Sequence, residues 1–284
     1  MSASILALLA ALSFALGTVL QQRGTLQTSA AEGDPRFLGE IIRKPVWLLG
    51  GSLQIFGWVL QAAALDRGSL ALVQSLCALS LVFALPLGVR FTGQQVGRRS
   101  IIGASATLIG IVFFVAVGQP QGGTSQPESS AWWISGIIMG GLMFLLARLA
   151  YQRRGAVAAA LFATAAGLSY AFQAAVTKVF MSELGYGVVA LLSSWTTYAL
   201  IISALTGFAL LQSALKTGFL APAMAASNAS TLIASVLLGV TLFHESLSNG
   251  QGRLLPALIG LALAVFGVVL LASPEPRQPD VATE

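Results

Sequence analysis

Long apolar segments separated by short polar ones make up most of the chain. Nine of these segments approach the roughly 20 residues that a helix needs to cross the hydrocarbon core of a bilayer. They lack the short alternating segments typical of transmembrane β-barrels. The pattern predicts nine membrane-spanning helices, which we number as spans 1 to 9: residues 4–21, 46–65, 69–89, 100–117, 131–151, 156–180, 187–211, 218–243 and 254–272.

Composition excludes a soluble protein. Of the 284 residues, 56% are hydrophobic and 9% are charged, whereas a soluble domain needs about 25% charged residues to cover its surface. The first apolar segment has no positively charged stretch before it, so we interpret it as a membrane span and not as a secretory signal. The predicted fold is therefore all-α: a polytopic membrane bundle of about nine transmembrane helices.

Short stretches of the first half recur in the second half in the same order. Residues 11–15 (Ala-Leu-Ser-Phe-Ala) match residues 167–171 (Gly-Leu-Ser-Tyr-Ala). Chance explains any one such match among Ala-, Leu- and Gly-rich helices better than it explains an ordered set. The other matched residues are Gly57, Ala64, Leu65, Gly68, Leu70 and Ala71 with Gly207, Ala214, Leu215, Gly218, Leu220 and Ala221, and Gly103 and Gly110 with Gly260 and Gly267.

These matches divide the chain into two repeats. Residues 1–117 hold spans 1–4, residues 118–155 hold a loop and the connector span 5, residues 156–272 hold spans 6–9, and residues 273–284 are a polar tail that we expect to be disordered. An offset of five spans makes the two halves enter the membrane from opposite sides. In secondary transporters such inverted repeats build a substrate site near the midplane and permit alternating access.

The basic residues predict the orientation. With alternating spans, eleven Lys and Arg residues lie on one side and three on the other, and the cytoplasmic side takes the excess. This places the protein in the plasma membrane with its N-terminus outside and its C-terminus in the cytoplasm. The segment from Pro35 to Lys44 fits either a short interfacial helix or a plain loop. The eleven are Arg23, Arg36, Arg43, Lys44, Arg90, Arg98, Arg99, Arg153, Arg154, Lys216 and Arg277, and the three are Arg67, Lys178 and Arg253.

Several local stretches resemble a known family. Residues 44–50 (Lys-Pro-Val-Trp-Leu-Leu-Gly), residues 62–65 continuing to residues 70–73, and Arg154-Gly155 continuing through residues 158–162 to Lys178 are similar to the NIPA-type branch of the drug/metabolite transporter (DMT) superfamily, which is EamA-like. The resemblance spans most of the chain. It implies two four-helix halves, each with a short first helix and a Gly-rich last helix, and an association with magnesium transport.

Polar residues inside the spans are the candidates for a substrate cavity, because polar groups in lipid are costly and tend to face the bundle interior. Each could instead only join helices through a hydrogen bond, typically worth about 0.6 kcal/mol. For Lys178 three interpretations stay open: it binds an anionic group, Glu183 neutralises it, or it extends to the headgroups. The candidates are Gln54, Gln61, Gln74, Ser169, Gln173, Thr177, Lys178 and Asn228.

Carboxylates and glycines give two further hypotheses. Asp66, Glu183 and Glu245 lie near the outer ends of spans and either form an acidic vestibule for cations or are ordinary interfacial residues. A magnesium ion would favour oxygen ligands that usually include carboxylates, so metal ligands stay unassigned.

Glycines within the spans are expected to permit close helix packing. They are Gly103, Gly110, Gly136, Gly140, Gly260 and Gly267.

The best-supported function is a secondary transporter or facilitator of a small solute or cation. The single cysteine, Cys77, the single histidine, His244, and the absence of a phosphate-binding loop predict that there is no cofactor and no enzymatic activity. The expected partners are membrane lipids and the substrate, without nucleic acid; monomer and homodimer stay open. One alternative is a flippase for lipid or polyprenyl-linked sugar, with headgroup contacts from Lys178 or Arg148. Another is a membrane assembly protein that does not transport.

Overall fold

The computed structural model describes residues 2–26, 43–92, 96–124, 126–215, 217, 220–247 and 253–271. The predicted disordered tail lies outside these residues. So does the proposed interfacial helix, apart from its last two residues, Arg43 and Lys44.

Almost all of the described chain is α-helical, which confirms the predicted fold class. Eight segments are long and apolar enough to cross a membrane, and a shorter apolar helix follows near the end. The protein is therefore an integral, multi-pass membrane protein. Its helices are α1 Ala3–Leu26, α2 Pro45–Leu65, α3 Leu70–Cys77, α4 Ser80–Thr92, α5 Arg98–Gly118, α6 Ser129–Tyr151, α7 Gly155–Glu183, α8 Val188–Ser193, α9 Trp195–Leu215, α10 Leu220–Thr241 and α11 Leu254–Leu271, with a 3₁₀ turn at Leu184–Tyr186.

Two predicted spans are each divided into two helices. Span 3 forms α3 and α4, which are separated at Ala78 and Leu79. Pro86 does not cause this division, because it lies inside α4. Span 7 starts as the short helix α8 and restarts as α9 after Ser194, whose hydroxyl accepts a hydrogen bond from the Thr196 amide at 3.3 Å.

Helix α7 is the centre of the bundle. It packs against α6, α9 and α10, and most of its buried side chains are alanines, which let neighbouring backbones come close. In the first half, α1 packs against α2 and α4 in a corresponding way. The two halves meet where α3 contacts α10 and where α5 lies along α11.

The contact between α5 and α11 is made by glycines and is reciprocal. A Cβ atom added to Gly110 would lie 2.7 Å from the Gly260 carbonyl oxygen, and one added to Gly267 would lie 2.6 Å from the Gly103 carbonyl oxygen. The sequence repeat pairs Gly110 with Gly267 and Gly103 with Gly260, so each contact is the counterpart of the other. An internal two-fold relation requires such contacts, while the inverted superposition of the halves stays a prediction.

Helix α6 lies at the edge of the bundle. Its glycines Gly136 and Gly140 have no described atom within 4 Å of an added Cβ, so the expected close packing is wrong for these two within the chain. Side chains such as Ile137 and Phe144 are 70% and 74% exposed. Apolar residues exposed in this way on a polytopic protein form the surface that faces lipid.

Candidate functional site

A cavity of about 730 Å³ lies between the two halves of the bundle. Its walls come from α1, α2, α3 and α4 of the first half and from α7, α9 and α10 of the second. Polar side chains predicted from the sequence as cavity-lining converge here although they lie on four different helices. Those that line it are Gln54, Gln61, Gln74, Gln173, Thr177 and Asn228.

The amides in this cavity fall into two groups. Gln54 donates to the Thr18 hydroxyl at 2.9 Å, and Asn228 donates to the Met224 carbonyl of its own helix at 2.8 Å. Gln61, Gln74 and Gln173 make no side-chain hydrogen bond to any described residue, and Gln74 is only 6% exposed. The first group is fixed by the protein, and the second has donors and acceptors available to a ligand.

The remaining lining is mostly apolar. Aromatic rings from both halves line it, and the thiol of Cys77 and the side chains of two methionines lie among them. Within the described residues no Asp, Glu, Lys, Arg or His lines the cavity. The aromatic and methionine residues are Phe14, Trp58, Tyr170, Phe180, Met181 and Met224.

Two sequence-predicted cavity residues lie elsewhere. The Ser169 hydroxyl donates to the Ser203 carbonyl at 2.8 Å and joins α7 to α9, so Ser169 has the helix-joining role that the sequence left open. Lys178 neither lines the cavity nor extends to the headgroups. It is 9% exposed and belongs to a separate polar cluster at the end of α7.

This cluster is built around a buried ion pair. The Lys178 ammonium lies 2.6 Å from Glu245 Oε1, and the Glu245 side chain is fully buried. Glu245 also accepts hydrogen bonds from the Leu70 amide at 2.5 Å and the Ala71 amide at 3.0 Å, at the N-terminus of α3. The free amides and the dipole of a helix N-terminus favour a carboxylate at this position. Lys178 additionally lies 4.7 Å from the centre of the Phe243 ring.

Local backbone geometry holds Glu245 in this position. After α10 the Glu245 amide donates to the Gly239 carbonyl at 2.9 Å, and the Thr124 amide donates to the Phe243 carbonyl at 2.8 Å. Gly123 has φ +91°, and a Cβ there would lie 2.8 Å from the Glu245 Cγ. The loop before α6 thus closes over the carboxylate, and only glycine fits at that point.

The three carboxylates proposed for an outer vestibule do not share one. Glu245 is buried and paired with Lys178. The pairing matters because an unpaired charge at such a position would be very costly. Glu183 does not neutralise Lys178; it accepts hydrogen bonds from Ser194 and Thr196, at 2.7 and 2.5 Å, where the chain turns into α9. Asp66 alone is exposed and lines an open pocket.

That pocket, of about 440 Å³, lies at the end of the bundle near the ion pair. We call it the end pocket. It is lined by Asp66, Ser69 and Lys178 and by Gln121 and Thr124 from the loop between α5 and α6. Lys178 faces the end pocket, whereas its neighbour Thr177 faces the cavity. The ion pair therefore borders the end pocket through Lys178, and the residue before it on α7, Thr177, lines the cavity.

Sequence reasoning missed the pairing of Lys178 with Glu245, which lie 67 positions apart. It also missed Ser69, which caps α3 by accepting from the Leu72 amide at 3.2 Å and donates to the Pro120 carbonyl at 2.9 Å. One signal existed: a lysine within an apolar span needs a partner. Nothing in the sequence identified which carboxylate supplies it.

Comparisons with known proteins give one full-length relative. An uncharacterized protein of Corynebacterium glutamicum is 30% identical over 280 residues, which cover 95% of this chain and 93% of that protein. No protein-family model matches the chain. No solved structure matches it either.

Proposed function

The chain belongs to the same family as the uncharacterized Corynebacterium glutamicum protein, and we propose that it is a secondary transporter or facilitator of a small solute. One observation carries this proposal: a cavity into which polar side chains from four helices converge lies between two halves of an otherwise apolar membrane bundle. Three of the amides that face this cavity make no hydrogen bond to the described protein, so their donors and acceptors are available to a solute. We propose that the solute binds there and that the halves move to open the cavity to either side in turn.

The ion pair supports such a mechanism, because it links the moving parts at one end. Lys178 lies on α7 and Glu245 follows α10, and Glu245 also accepts hydrogen bonds from the N-terminus of α3 in the first half. These bonds join α7 and the end of α10 to α3 and would keep this end of the bundle closed. Opening that end would release the α3 amides and expose both charges to water, where each is well solvated.

The family resemblance implies magnesium as a substrate, but the cavity lining favours an organic solute. Magnesium is usually held by carboxylates and keeps several of its waters. The described lining offers amide and hydroxyl groups but no carboxylate, and Glu245 is already matched by Lys178. Magnesium thus stays the second candidate substrate.

One observation favours the lipid alternative, and another weakens it. Ile55, Trp58 and Val59 of α2 line the cavity and are 62%, 55% and 60% exposed, so that wall reaches the surface of the bundle. A lipid-linked substrate would also need a cation for its phosphate. Lys178 is paired outside the cavity, and Arg148 is exposed and does not line it.

The native cysteine permits a test that needs no known substrate. Cys77 lines the cavity and is the chain's single cysteine. In proteoliposomes of known orientation, a membrane-impermeant methanethiosulfonate would be added to one side at a time and the labelled fraction read by intact mass. Alternating access predicts labelling from each side while the vesicles stay impermeable to the reagent. A Cys77→Ser variant gives the background.

Labelling from one side only, or none in protein that labels fully after denaturation, would contradict alternating access and favour a protein that does not transport. A second cavity thiol, Ser80→Cys in the Cys77→Ser background, repeats the measurement at a less buried position. Agreement between the two thiols separates access to the cavity from the reactivity of one buried sulfur.

A further inference from the structure

We propose that the cavity selects an uncharged organic solute with a flat apolar body and an edge that carries both hydrogen-bond donors and acceptors. This inference rests on the proposed function, since it names the class of molecule that the same cavity takes. It is carried by the free amides, the uncharged lining and the aromatic walls.

The free amides define the polar edge of the solute. Gln61 on α2, Gln74 on α3 and Gln173 on α7 approach the cavity from three helices and have no hydrogen-bond partner among the described residues. Gln74 is more than nine-tenths buried, and it lines the cavity. An amide both donates and accepts, and a solute with the complementary groups would satisfy all three at once.

The charge of the solute follows from what the lining lacks. No described lining residue is charged, and most of the wall is apolar. Moving an ion from water into such surroundings is strongly unfavourable unless the site supplies an opposite charge. Lys178 and Glu245 are close by, but they neutralise each other, and Glu245 is also held by the N-terminus of α3.

The shape of the solute follows from the aromatic walls and the volume. Phe14 and Trp58 come from the first half and Tyr170 and Phe180 from the second, so a flat body would meet ring faces or edges contributed by both halves. A cavity of about 730 Å³ is in the size range of sites for small organic ligands. The exposed α2 wall also suits a molecule that partitions partly into the bilayer.

A charge series on one molecular body tests this inference. At about pH 6 the probes are N-acetyl-tryptophanamide, which is neutral, its acid N-acetyl-tryptophan, which is an anion, tryptophanamide, whose amino group is then protonated and which is a cation, and magnesium ion. Each is added at the same concentration to the full-length protein in detergent, and the rate of Cys77 modification by methyl methanethiosulfonate is followed by intact mass. The neutral probe is expected to slow this rate by about tenfold at saturation, and the other three by less than about twofold.

Variants place the protection in the cavity. Gln74→Ala and Gln173→Ala should each weaken protection by the neutral probe by about tenfold or less in apparent affinity, the usual range for one lost hydrogen bond. Gln152→Ala is the matched control, because that glutamine is exposed at the end of α6, outside the cavity. It should leave protection unchanged.

The outcomes separate the two levels of the proposal. Equal or stronger protection by the anion, the cation or magnesium would overturn the uncharged class, and so would no protection by the neutral probe. Either result leaves two-sided access to Cys77, and hence the proposed transport, standing. Protection by the neutral probe together with labelling from one side only would keep the ligand class and overturn transport.

Discussion

The two halves of the bundle share their packing but differ in their charges. In the first half the ring of Phe14 lies against Gly57, where a Cβ would come within 2.7 Å of it. In the second half the ring of Tyr170 lies against Gly207 at the same distance. The sequence matches pair Phe14 with Tyr170 and Gly57 with Gly207, so one aromatic-on-glycine contact is made twice.

The ion pair has no such counterpart. The match between residues 11–15 and 167–171 places Lys178 opposite Gln22, a neutral amide that is exposed on α1. The matches on either side of Glu245 place it opposite residues 88–95, which include no carboxylate. Repeated small and aromatic residues thus give the halves a common frame, while a charge pair that occurs once among the described residues makes the two ends of the bundle unequal.

The largest expected effect comes from breaking the pair. Glu245→Ala should lower the free energy of unfolding by about 3–5 kcal/mol, because Lys178 would stay buried without a counter-ion and the α3 amides would lose their acceptor. The measurement is unfolding of the purified protein in one detergent. Lys178→Met with Glu245→Gln should recover part of the loss, because no unpaired charge then remains buried.

The control for this prediction is the repeat-equivalent position. Gln22→Ala should change the free energy of unfolding by no more than about 0.5 kcal/mol, since its side chain is exposed. A comparable loss in Gln22→Ala and Glu245→Ala would show that the two ends are equally braced. The claim that the two halves share their packing but differ in their charges would then be wrong.

An intermediate and equal effect is expected at the two aromatic contacts. Gly57→Ala and Gly207→Ala should each cost about 1–3 kcal/mol, because the added methyl group must displace a ring held between helices. Gly140→Ala, where an added Cβ meets no described atom, should cost little or nothing. Thermal unfolding of the three variants compares them, and a loss at only one of the two contacts would end the claim of shared packing.

Most of the fold could be predicted because the bilayer constrains it so strongly. Apolar length and the need for internal hydrogen bonding determine helices and their approximate ends. The division of span 3 at Ala78 and Leu79 was not predictable in this way. Its residues are as apolar as their neighbours, and the one proline in that span lies further along, inside α4.

The candidate site was predictable only in part, and for a physical reason. Polar groups in a membrane helix turn toward the interior whatever their partners are, so Gln61 and Gln173 could be assigned to a cavity from sequence. The partner of a buried charge depends on tertiary structure. Glu183, five residues from Lys178, was one of three open interpretations of that lysine, whereas the folded chain brings Glu245 to it.

The smallest expected effect concerns the free amides, and it distinguishes binding groups from bracing groups. Gln61 in the first half and Gln173 in the second make no hydrogen bond to the described protein, so replacing either with alanine removes no stabilising bond. Each variant should unfold within about 0.5 kcal/mol of the wild type. If one of them instead loses about as much stability as Glu245→Ala, its amide braces the structure. A substrate role for that residue would then lose its basis, and the cavity would be asymmetric in its amides as it is in its charges.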